Sequence, residues 1–169
     1  VTVRYGNVLE STGSVIPYFK QLLRDGSDFL PITHPDMTRF LITLPEAVKT
    51  VIHTLNEMVG SEIFVRKIPS ISISDLAKLI GPECTLKEIG LRPGEKLHEQ
   101  LISIDESAFT YEFDEYFKIL SPLNNWDVCK KRIKGGQKVS EGFVYTSDKN
   151  KDWLKSENLE KWLKDENNY

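Results

Sequence analysis

The chain has 169 residues, of which 40% are hydrophobic and 28% charged. This is long enough for a domain that buries about two-thirds of its unfolded surface. The net charge of -3, with acidic and basic residues interspersed, argues against nucleic acid or an anionic membrane as a partner. No apolar run reaches the roughly 18 residues of a membrane span and no signal peptide is recognisable, so we expect a cytoplasmic protein without membrane insertion.

The cysteines and histidines give no indication of a disulfide framework or a metal site. Cys84 and Cys129 are too few and too isolated for a disulfide framework or a zinc site, and we expect free thiols. His34, His53 and His98 lack metal-ligand spacing, so we predict no metal site and structural or surface roles for them.

The first part of the chain predicts a strand and two helices. Residues 1–5 indicate a buried strand, and the β-branched start without methionine suggests a fragment that begins at that strand. A glycine-bounded loop over 6–13 follows, then a helix with one apolar face that ends at Asp25 and Gly26. Thr43 and Glu46 have capping-box spacing and precede a helix with an apolar stripe from Ala47 to Met58.

The later elements continue the alternation of strands and helices, which predicts an α/β class. We expect strands over 62–66 and 85–89, helices over 74–80 and 95–102, extended segments over 111–119, a basic loop over 130–138, and a closing helix containing Leu154, Leu159, Trp162 and Leu163 before a frayed tail over 165–169.

The most informative motif is the run over 91–97, which places an arginine and a carboxylate on one tight turn that opens a helix. The Arg92 guanidinium suits a diphosphate, and the Glu95 carboxylate can accept from sugar hydroxyls, as a nucleotide-sugar site requires. The alternative is a Pro-Gly turn with Glu95 near a helix N-terminus and no ligand.

Two other polar residues have two interpretations each. Arg39 follows the irregular segment 31–36, where a loop-borne cation could meet a phosphate or form a surface ion pair. Asn7 lies just beyond the first strand, where open α/β sheets bind ligands, and an Asx turn explains it equally well.

Several motifs in order resemble the extended short-chain dehydrogenase/reductases, and most closely the UDP-N-acetylglucosamine 4,6-dehydratases of polysaccharide biosynthesis. The motifs occupy residues 4–8, 13–17, 37–40 and 92–99. Residues 142–150, with Trp153 and Leu154, resemble the configuration-inverting branch that begins pseudaminic acid synthesis. The resemblance covers essentially the whole chain.

The resemblance implies roles for individual residues near the chain start. Tyr5 and Val8 match positions that meet the nicotinamide end of the cofactor, while Asn7 matches a position facing the substrate's diphosphate or sugar. Glu10 and Thr12 depart from the glycine and arginine found in many relatives, which leaves the sugar preference open.

The remaining implied contacts are to the substrate nucleotide. Arg39 and Arg92 match the two diphosphate arginines, and Glu95 matches the ribose-binding acid. The segment whose backbone helps to hold the nucleotide in relatives matches Ser14, Val15 and Ile16. The strand that lies along the base matches Ile32 and Thr33.

A complete enzyme of this family carries a Rossmann domain with a Gly-rich loop and a catalytic Tyr-x-x-x-Lys, neither of which we find here. We therefore expect residues 1–169 to be the carboxyl-terminal half: the end of a Rossmann-like sheet plus the smaller mixed α/β substrate-binding domain, with no catalytic residue in this chain. The resemblance implies an NADP-dependent lyase acting on UDP-N-acetylglucosamine, with NADP bound mostly by the missing half and a homo-oligomer at full length. Alternatives are a related UDP-sugar epimerase, a retaining dehydratase, or a non-catalytic nucleotide-sugar binding module.

Overall fold

The computed structural model describes residues 1–122 and 130–166 and shows a mixed α/β fold divided into two compact units. The first unit comprises residues 1–5, 45–68 and 100–146. The second comprises residues 6–44, 69–99 and 147–169. The α/β class predicted from the alternation of elements is confirmed.

The helices and strands are short. The helices are Val15–Arg24 (α1), Leu44–Glu57 (α2), Ile73–Ile80 (α3) and Ser156–Glu166 (α4). The strands are Thr2–Arg4 (β1), Asn7–Val8 (β2), Phe29–Ile32 (β3), Thr38–Ile42 (β4), Ile63–Arg66 (β5), Ser70–Ser72 (β6), Thr85–Glu88 (β7), Gln100–Ile102 (β8), Thr110–Glu112 (β9), Tyr116–Ile119 (β10), Gln137–Lys138 (β11) and Tyr145–Thr146 (β12).

The first unit is built on a five-stranded sheet in the order β1-β5-β10-β9-β11. β1 and β5 are parallel, and the other neighbours are antiparallel. β1 lies at the sheet edge, and Val1 beside it is 52% exposed. The predicted strand is therefore present, but the prediction that it is buried is wrong for the described chain, because no further strand covers β1 there.

An unusual feature of the first unit is the buried lysine Lys118 on β10, which is only 3% exposed. Its Nζ lies 4.8 Å from the ring centre of Phe64 and 5.2 Å from that of Phe113, and it donates to the Arg132 carbonyl at 3.2 Å. Burial lowers the Lys118 pKa, and the nearby Glu62 carboxylate only partly opposes this effect.

The helix α2 buries a narrow face. Ala47, Thr50 and Thr54 are buried, whereas Val48 and Leu55 are exposed. The predicted helix is confirmed, but much of its apolar stripe lies on the surface of the unit.

The second unit contains the sheet β2-β4-β6 and the parallel pair β3-β7. Ile16 and Phe19 of α1 and Leu76 and Ala77 of α3 are buried in one core. The periodicity of apolar residues that predicted these helices is thus explained by packing, and the Ser72 side chain caps α3 by accepting from Asp75 N.

Gly6 joins β1 to β2 where two backbones approach closely. A Cβ atom on Gly6 would lie 2.5 Å from the Phe40 carbonyl oxygen and 2.4 Å from the Phe40 Cβ. Only glycine fits here, and the contact fixes Asn7, the next residue, beside β4.

The predicted helix over 95–102 is wrong. Residues 92–95 form a turn in which Glu95 N donates to Arg92 O at 3.0 Å, and the chain then enters β8. Gly94 has a φ of +81°, which suits the third position of a type II turn after proline. Leu97 O accepts from Thr38 N at 3.1 Å instead of joining a helical ladder.

The C-terminal predictions are partly confirmed. The stretch predicted as a basic loop contains a 3-10 turn over Lys130–Ile133 and the strand β11, so it is more ordered than expected. The closing helix runs to Glu166, Leu154 precedes it, and residues 167–169 lie outside the described residues. The strands predicted over 62–66, 85–89 and 111–119 are present.

Cys84 is a free thiol, as predicted, whereas Cys129 lies outside the described residues. Across residues 1–122 and 130–166, no helix combines the length and apolarity that a membrane crossing demands. In the same part of the chain, no three His, Cys, Asp or Glu side chains gather in a metal-binding geometry.

Replacing Gly6 by alanine should destabilise the fold by about 1–3 kcal/mol, because the added methyl group overlaps the Phe40 backbone. Urea unfolding followed by circular dichroism measures the change. Thr12→Ala, an exposed change in the same loop, is the matched control and should have little effect. Equal stability of Gly6→Ala and the parent would contradict the close approach.

The lowered pKa of Lys118 predicts that the free energy of unfolding depends on pH. Since the folded-state pKa lies below the unfolded value of 10.5, the unfolded chain binds more protons between the two values, and stability rises with pH in that window. As the pH rises towards 10.5, the parent should gain stability relative to Lys118→Met. Thermal unfolding at several pH values tests this. The exposed Lys49→Met serves as control, and identical pH profiles for all three proteins would refute the assignment.

Candidate functional site

The second unit contains a cleft formed by two adjoining cavities. The two cavities share five of their lining residues, which are Ser14, Val15, Pro31, Thr33 and Glu95. The first cavity extends to Asn7, Val8, Ile16 and Arg39, and the second extends to Gly13, Tyr18, Ile89 and Arg92. The cleft therefore gathers most of the residues that the sequence indicated as candidates.

The N-terminus of α1 opens into this cleft. Ser14 is the N-cap residue of α1, and its side chain makes no capping hydrogen bond. The Ser14 Oγ atom is buried and has no hydrogen-bond partner among the described residues. A helix N-terminus carries partial positive charge and unpaired N–H groups, so this end of the cleft favours an anion.

Arg39 is held firmly by the protein itself. It lies in β4, which corrects the expectation of a loop-borne cation. Its Nη1 donates to the Thr38 and Leu97 carbonyls at 2.8 and 3.1 Å, and its Nη2 donates to the Lys96 carbonyl at 2.9 Å. Such contacts occupy most of the donors of a guanidinium.

Two carboxylates also surround Arg39. Its Nε lies 3.5 Å from Glu99 Oε1, and its Nη2 lies 3.9 Å from Glu95 Oε1. The Arg39 side chain is only 12% exposed. The positive charge of Arg39 is therefore largely balanced by the protein, and its main structural effect is to fix residues 95–99 against β4.

Arg92 differs from Arg39 in both exposure and pairing. It is exposed and lines the second cavity, and within the described residues its guanidinium has no hydrogen-bond or ion-pair partner. Its backbone N–H donates to Glu95 Oε2 at 3.2 Å, so the Glu95 carboxylate closes the turn on which Arg92 stands. The cleft thus combines a rigid turn with an unpaired guanidinium.

Three predicted residues stand apart from the polar lining. Ile32 is 5% exposed and belongs to the core, whereas its strand neighbours Pro31 and Thr33 line the cleft. Successive side chains of a strand point to opposite faces, so the Ile32 side chain lies in the core while the strand itself borders the cleft. Tyr5 belongs to the first unit and is partly exposed, and Val8 is half-buried and lines the first cavity.

The loop over 6–13 has an unusual backbone at Glu10. Glu10 has a φ of +54°, a left-handed conformation that glycine adopts without strain. Its carboxylate forms an ion pair with Lys20 of α1. This ion pair links the loop to the helix whose N-terminus opens into the cleft.

A hydroxyl and imidazole cluster beside Arg39 was not predicted. Thr38 Oγ1 lies 2.8 Å from His98 Nδ1 and 2.7 Å from Ser147 Oγ, and Glu99 N donates to Ser147 Oγ at 2.9 Å. The three residues are far apart in the chain, so only the fold reveals the cluster. Its hydrogen bonds attach residues 98 and 99 to β4.

These features define an α/β protein whose cleft suits an anionic ligand with neighbouring hydroxyl groups. Parallel strand pairs, a helix N-terminus facing the cleft, and an unpaired arginine are typical of nucleotide-binding α/β proteins. The sequence profile of the polysaccharide biosynthesis protein family matches residues 1–121, and the chain belongs to that family.

Individual relatives agree with this assignment. Over 162 residues the chain is 46% identical to the UDP-N-acetylglucosamine 4,6-dehydratase (inverting) of Campylobacter jejuni, an alignment that covers 92% of this chain and 48% of the relative. It is 36% identical to a UDP-glucose 4-epimerase of Rickettsia canadensis, covering 85% of this chain and 43% of the relative. The chain spans about half the length of the curated relatives it matches.

A solved structure shares the fold. The X-ray structure of Pen from Bacillus thuringiensis superimposes with a TM-score of 0.82 at 32% sequence identity. The match covers 98% of this chain and 49% of Pen. The similarity to the UDP-N-acetylglucosamine 4,6-dehydratases indicated by residues 4–8 and 92–99, and to their inverting branch indicated by residues 142–150, is confirmed at the level of sequence.

Replacing Arg39 by glutamine should lower the free energy of unfolding by about 2 kcal/mol or more, because three carbonyl groups and two carboxylates lose their cationic partner. Arg92→Gln is the matched control and should change stability by less than about 0.5 kcal/mol. Urea unfolding measures both. Equal losses for the two variants would show that Arg39 has no special structural role.

Proposed function

We propose that this chain is the carboxyl-terminal, nucleotide-sugar-binding half of a UDP-N-acetylglucosamine 4,6-dehydratase that inverts C5. Family membership and the 46% identity to an inverting dehydratase support the proposal. The complete enzyme would be an NADP-dependent lyase that acts early in the synthesis of pseudaminic acid-type sugars for surface glycans.

The observation that carries this proposal is the polarity of the cleft. Unpaired donors at the N-terminus of α1 and on Arg92 lie beside the Glu95 carboxylate along the same cavity. A nucleoside diphosphate has the matching order of groups, since its phosphates need cationic or N–H donors and its ribose hydroxyls can donate to a carboxylate.

The cleft suggests how the substrate lies. We expect the diphosphate between Arg92 and the backbone N–H groups after Ser14, with the ribose hydroxyls donating to Glu95. The base would lie along Pro31 and Thr33, and Asn7 would face the sugar. Arg39 would act by holding the turn that carries Arg92 and Glu95, since its own donors are already engaged.

In the complete enzyme, this half would bind and orient the sugar nucleotide. NADP would supply the hydride chemistry of this reaction. A hydride would leave C4 of the sugar, the C5 proton and water from C6 would then be lost, and the hydride would return to C6. The proton-transfer groups, including a Tyr-x-x-x-Lys pair, would come from the other half. Correct orientation of the reacting sugar by tightly held groups contributes substantially to such reactions.

A UDP-sugar epimerase is the second candidate, favoured by the 36% identity to a UDP-glucose 4-epimerase. Both reactions use a UDP-sugar, so the cleft alone does not separate them. The product formed by the complete protein from UDP-N-acetylglucosamine separates them in an NMR assay, because dehydration yields a 6-deoxy-4-keto sugar and epimerisation retains the C6 hydroxyl.

Calorimetric titration with UDP tests the site directly. We expect binding in the micromolar range, with Arg92→Ala weakening it by about tenfold or more, because a lost charge-assisted hydrogen bond costs about 1.5–3 kcal/mol. Arg24→Ala, an exposed arginine in the last turn of α1, is the matched control and should bind as the parent does. No binding of UDP by the folded chain, or equal binding by all three proteins, would contradict the assigned diphosphate site.

A further inference from the structure

Ser147 is fully buried in the second unit and does not line the cleft. Its backbone N–H donates to the Glu99 carbonyl at 2.9 Å, and its Oγ accepts from Glu99 N at 2.9 Å. On its other side, the same Oγ lies 2.7 Å from Thr38 Oγ1 and 3.2 Å from the Thr38 carbonyl oxygen. This one residue therefore bridges β4 and the segment that follows the Arg92 turn.

The bridge requires the Ser147 hydroxyl to act as acceptor and as donor. A serine hydroxyl carries one proton and two acceptor lone pairs. One lone pair accepts from Glu99 N, and the proton is left for an oxygen of Thr38. The Thr38 hydroxyl in turn lies 2.8 Å from His98 Nδ1. Alanine at position 147 would change the packing very little, but it would remove the acceptor of Glu99 N.

Both residues that Ser147 contacts also contact Arg39. The Thr38 carbonyl accepts from Arg39 Nη1 at 2.8 Å, and Glu99 Oε1 lies 3.5 Å from Arg39 Nε. Arg39 then donates to the carbonyls of residues 96 and 97 at 2.9 and 3.1 Å. The position of the guanidinium therefore depends on two groups that Ser147 holds.

The groups held by Arg39 lie next to the turn that lines the cleft. Arg39 Nη2 lies 3.9 Å from Glu95 Oε1, and the second oxygen of that carboxylate accepts from Arg92 N at 3.2 Å. Buried polar networks of this kind couple their members, because each hydrogen bond fixes the geometry of the next. A change at Ser147 therefore reaches, through Arg39, two side chains that line the second cavity.

We propose that Ser147 is a positioning residue for the diphosphate site, acting through Arg39 on the turn over residues 92–95. This inference rests on the proposed function, because it takes the ligand of that turn to be a nucleoside diphosphate. Ser147 is buried away from the cleft, so it makes no contact with the ligand itself. Its hydroxyl sets the affinity of the cleft by holding the turn in the geometry that presents Arg92 and Glu95 together.

The alternative is that Ser147 only stabilises the fold, as any buried hydroxyl can. Ser70 is the matched control, because it lies in the same unit and is equally buried. Its Oγ accepts from Asn150 Nδ2 at 3.0 Å and is not part of the path to Arg39. Ser147→Ala and Ser70→Ala should therefore lower the free energy of unfolding by similar amounts, as urea unfolding measures.

Calorimetric titration with UDP separates the two roles. Ser147→Ala should weaken UDP binding by about fivefold or more, whereas Ser70→Ala should bind UDP as the parent does. In a protein that already carries Arg92→Ala, Ser147→Ala should have a much smaller effect, because a group that it positions is gone. Unchanged binding by Ser147→Ala, equal weakening by Ser70→Ala, or the same fold-change with and without the Arg92 side chain would overturn the proposal.

A second measurement reads the turn without any ligand. The amides of Arg92 and Glu95 both form hydrogen bonds of the turn. Their NMR signals should shift in Ser147→Ala and stay in place in Ser70→Ala, and unchanged signals in Ser147→Ala would refute the positioning role. If these signals shifted but the parent did not bind UDP, the proposed function would fail while the link between Ser147 and the turn would stand.

Thr38 provides a second pair of variants in case Ser147→Ala does not fold. Thr38→Val removes the hydroxyl that Ser147 contacts and keeps nearly the same shape, whereas Thr38→Ser retains the hydroxyl. Thr38→Val should weaken UDP binding and shift the Arg92 and Glu95 amide signals, and Thr38→Ser should resemble the parent in both. Equal effects of the two Thr38 variants would contradict the path through the hydroxyl groups.

Discussion

The contacts of the Arg39 guanidinium organise the candidate site. One side chain donates to carbonyl groups of both β4 and the segment after the Arg92 turn, at 2.8–3.1 Å. Without these contacts residues 96 and 97 would need other partners for their carbonyls, and Glu95 would lose one of the groups that place it. The geometry of the turn, and hence of the Arg92 side chain, depends on this arrangement.

The two arginines of the cleft therefore have different electrostatic roles. Arg39 is balanced by Glu95 and Glu99 and is poorly exposed, so it contributes little net attraction to an approaching anion. Arg92 is exposed and unpaired among the described residues, so it supplies the attraction. A motif comparison treats both as diphosphate arginines, and only their hydrogen bonds distinguish the residue that builds the site from the residue that is free to bind.

The sequence predicted those elements whose buried face is visible as a local pattern of apolar residues. The apolar spacing in α1 and α3 predicted helices because the same residues fill one core. The failure at 95–102 has a long-range cause, since Arg39 and Thr38 bind carbonyls that a helix would have used. The cleft residues were indicated by motif. The side of β3 that Ile32 faces depends on the packing of β3 beside β7, and the cluster of Thr38, His98 and Ser147 depends on contacts between distant parts of the chain.

The left-handed Glu10 has a consequence for the loop that borders the cleft. A glycine at this position would adopt the observed φ of +54° without strain, whereas glutamate is less favourable there and is tied to Lys20 by charge. The Lys20 and Glu10 side chains are only 26% and 17% exposed, and salt screens partly buried ion pairs weakly. The shape of this loop is consequently maintained across ordinary salt concentrations, and it depends on a lysine of the helix whose N-terminus opens into the cleft.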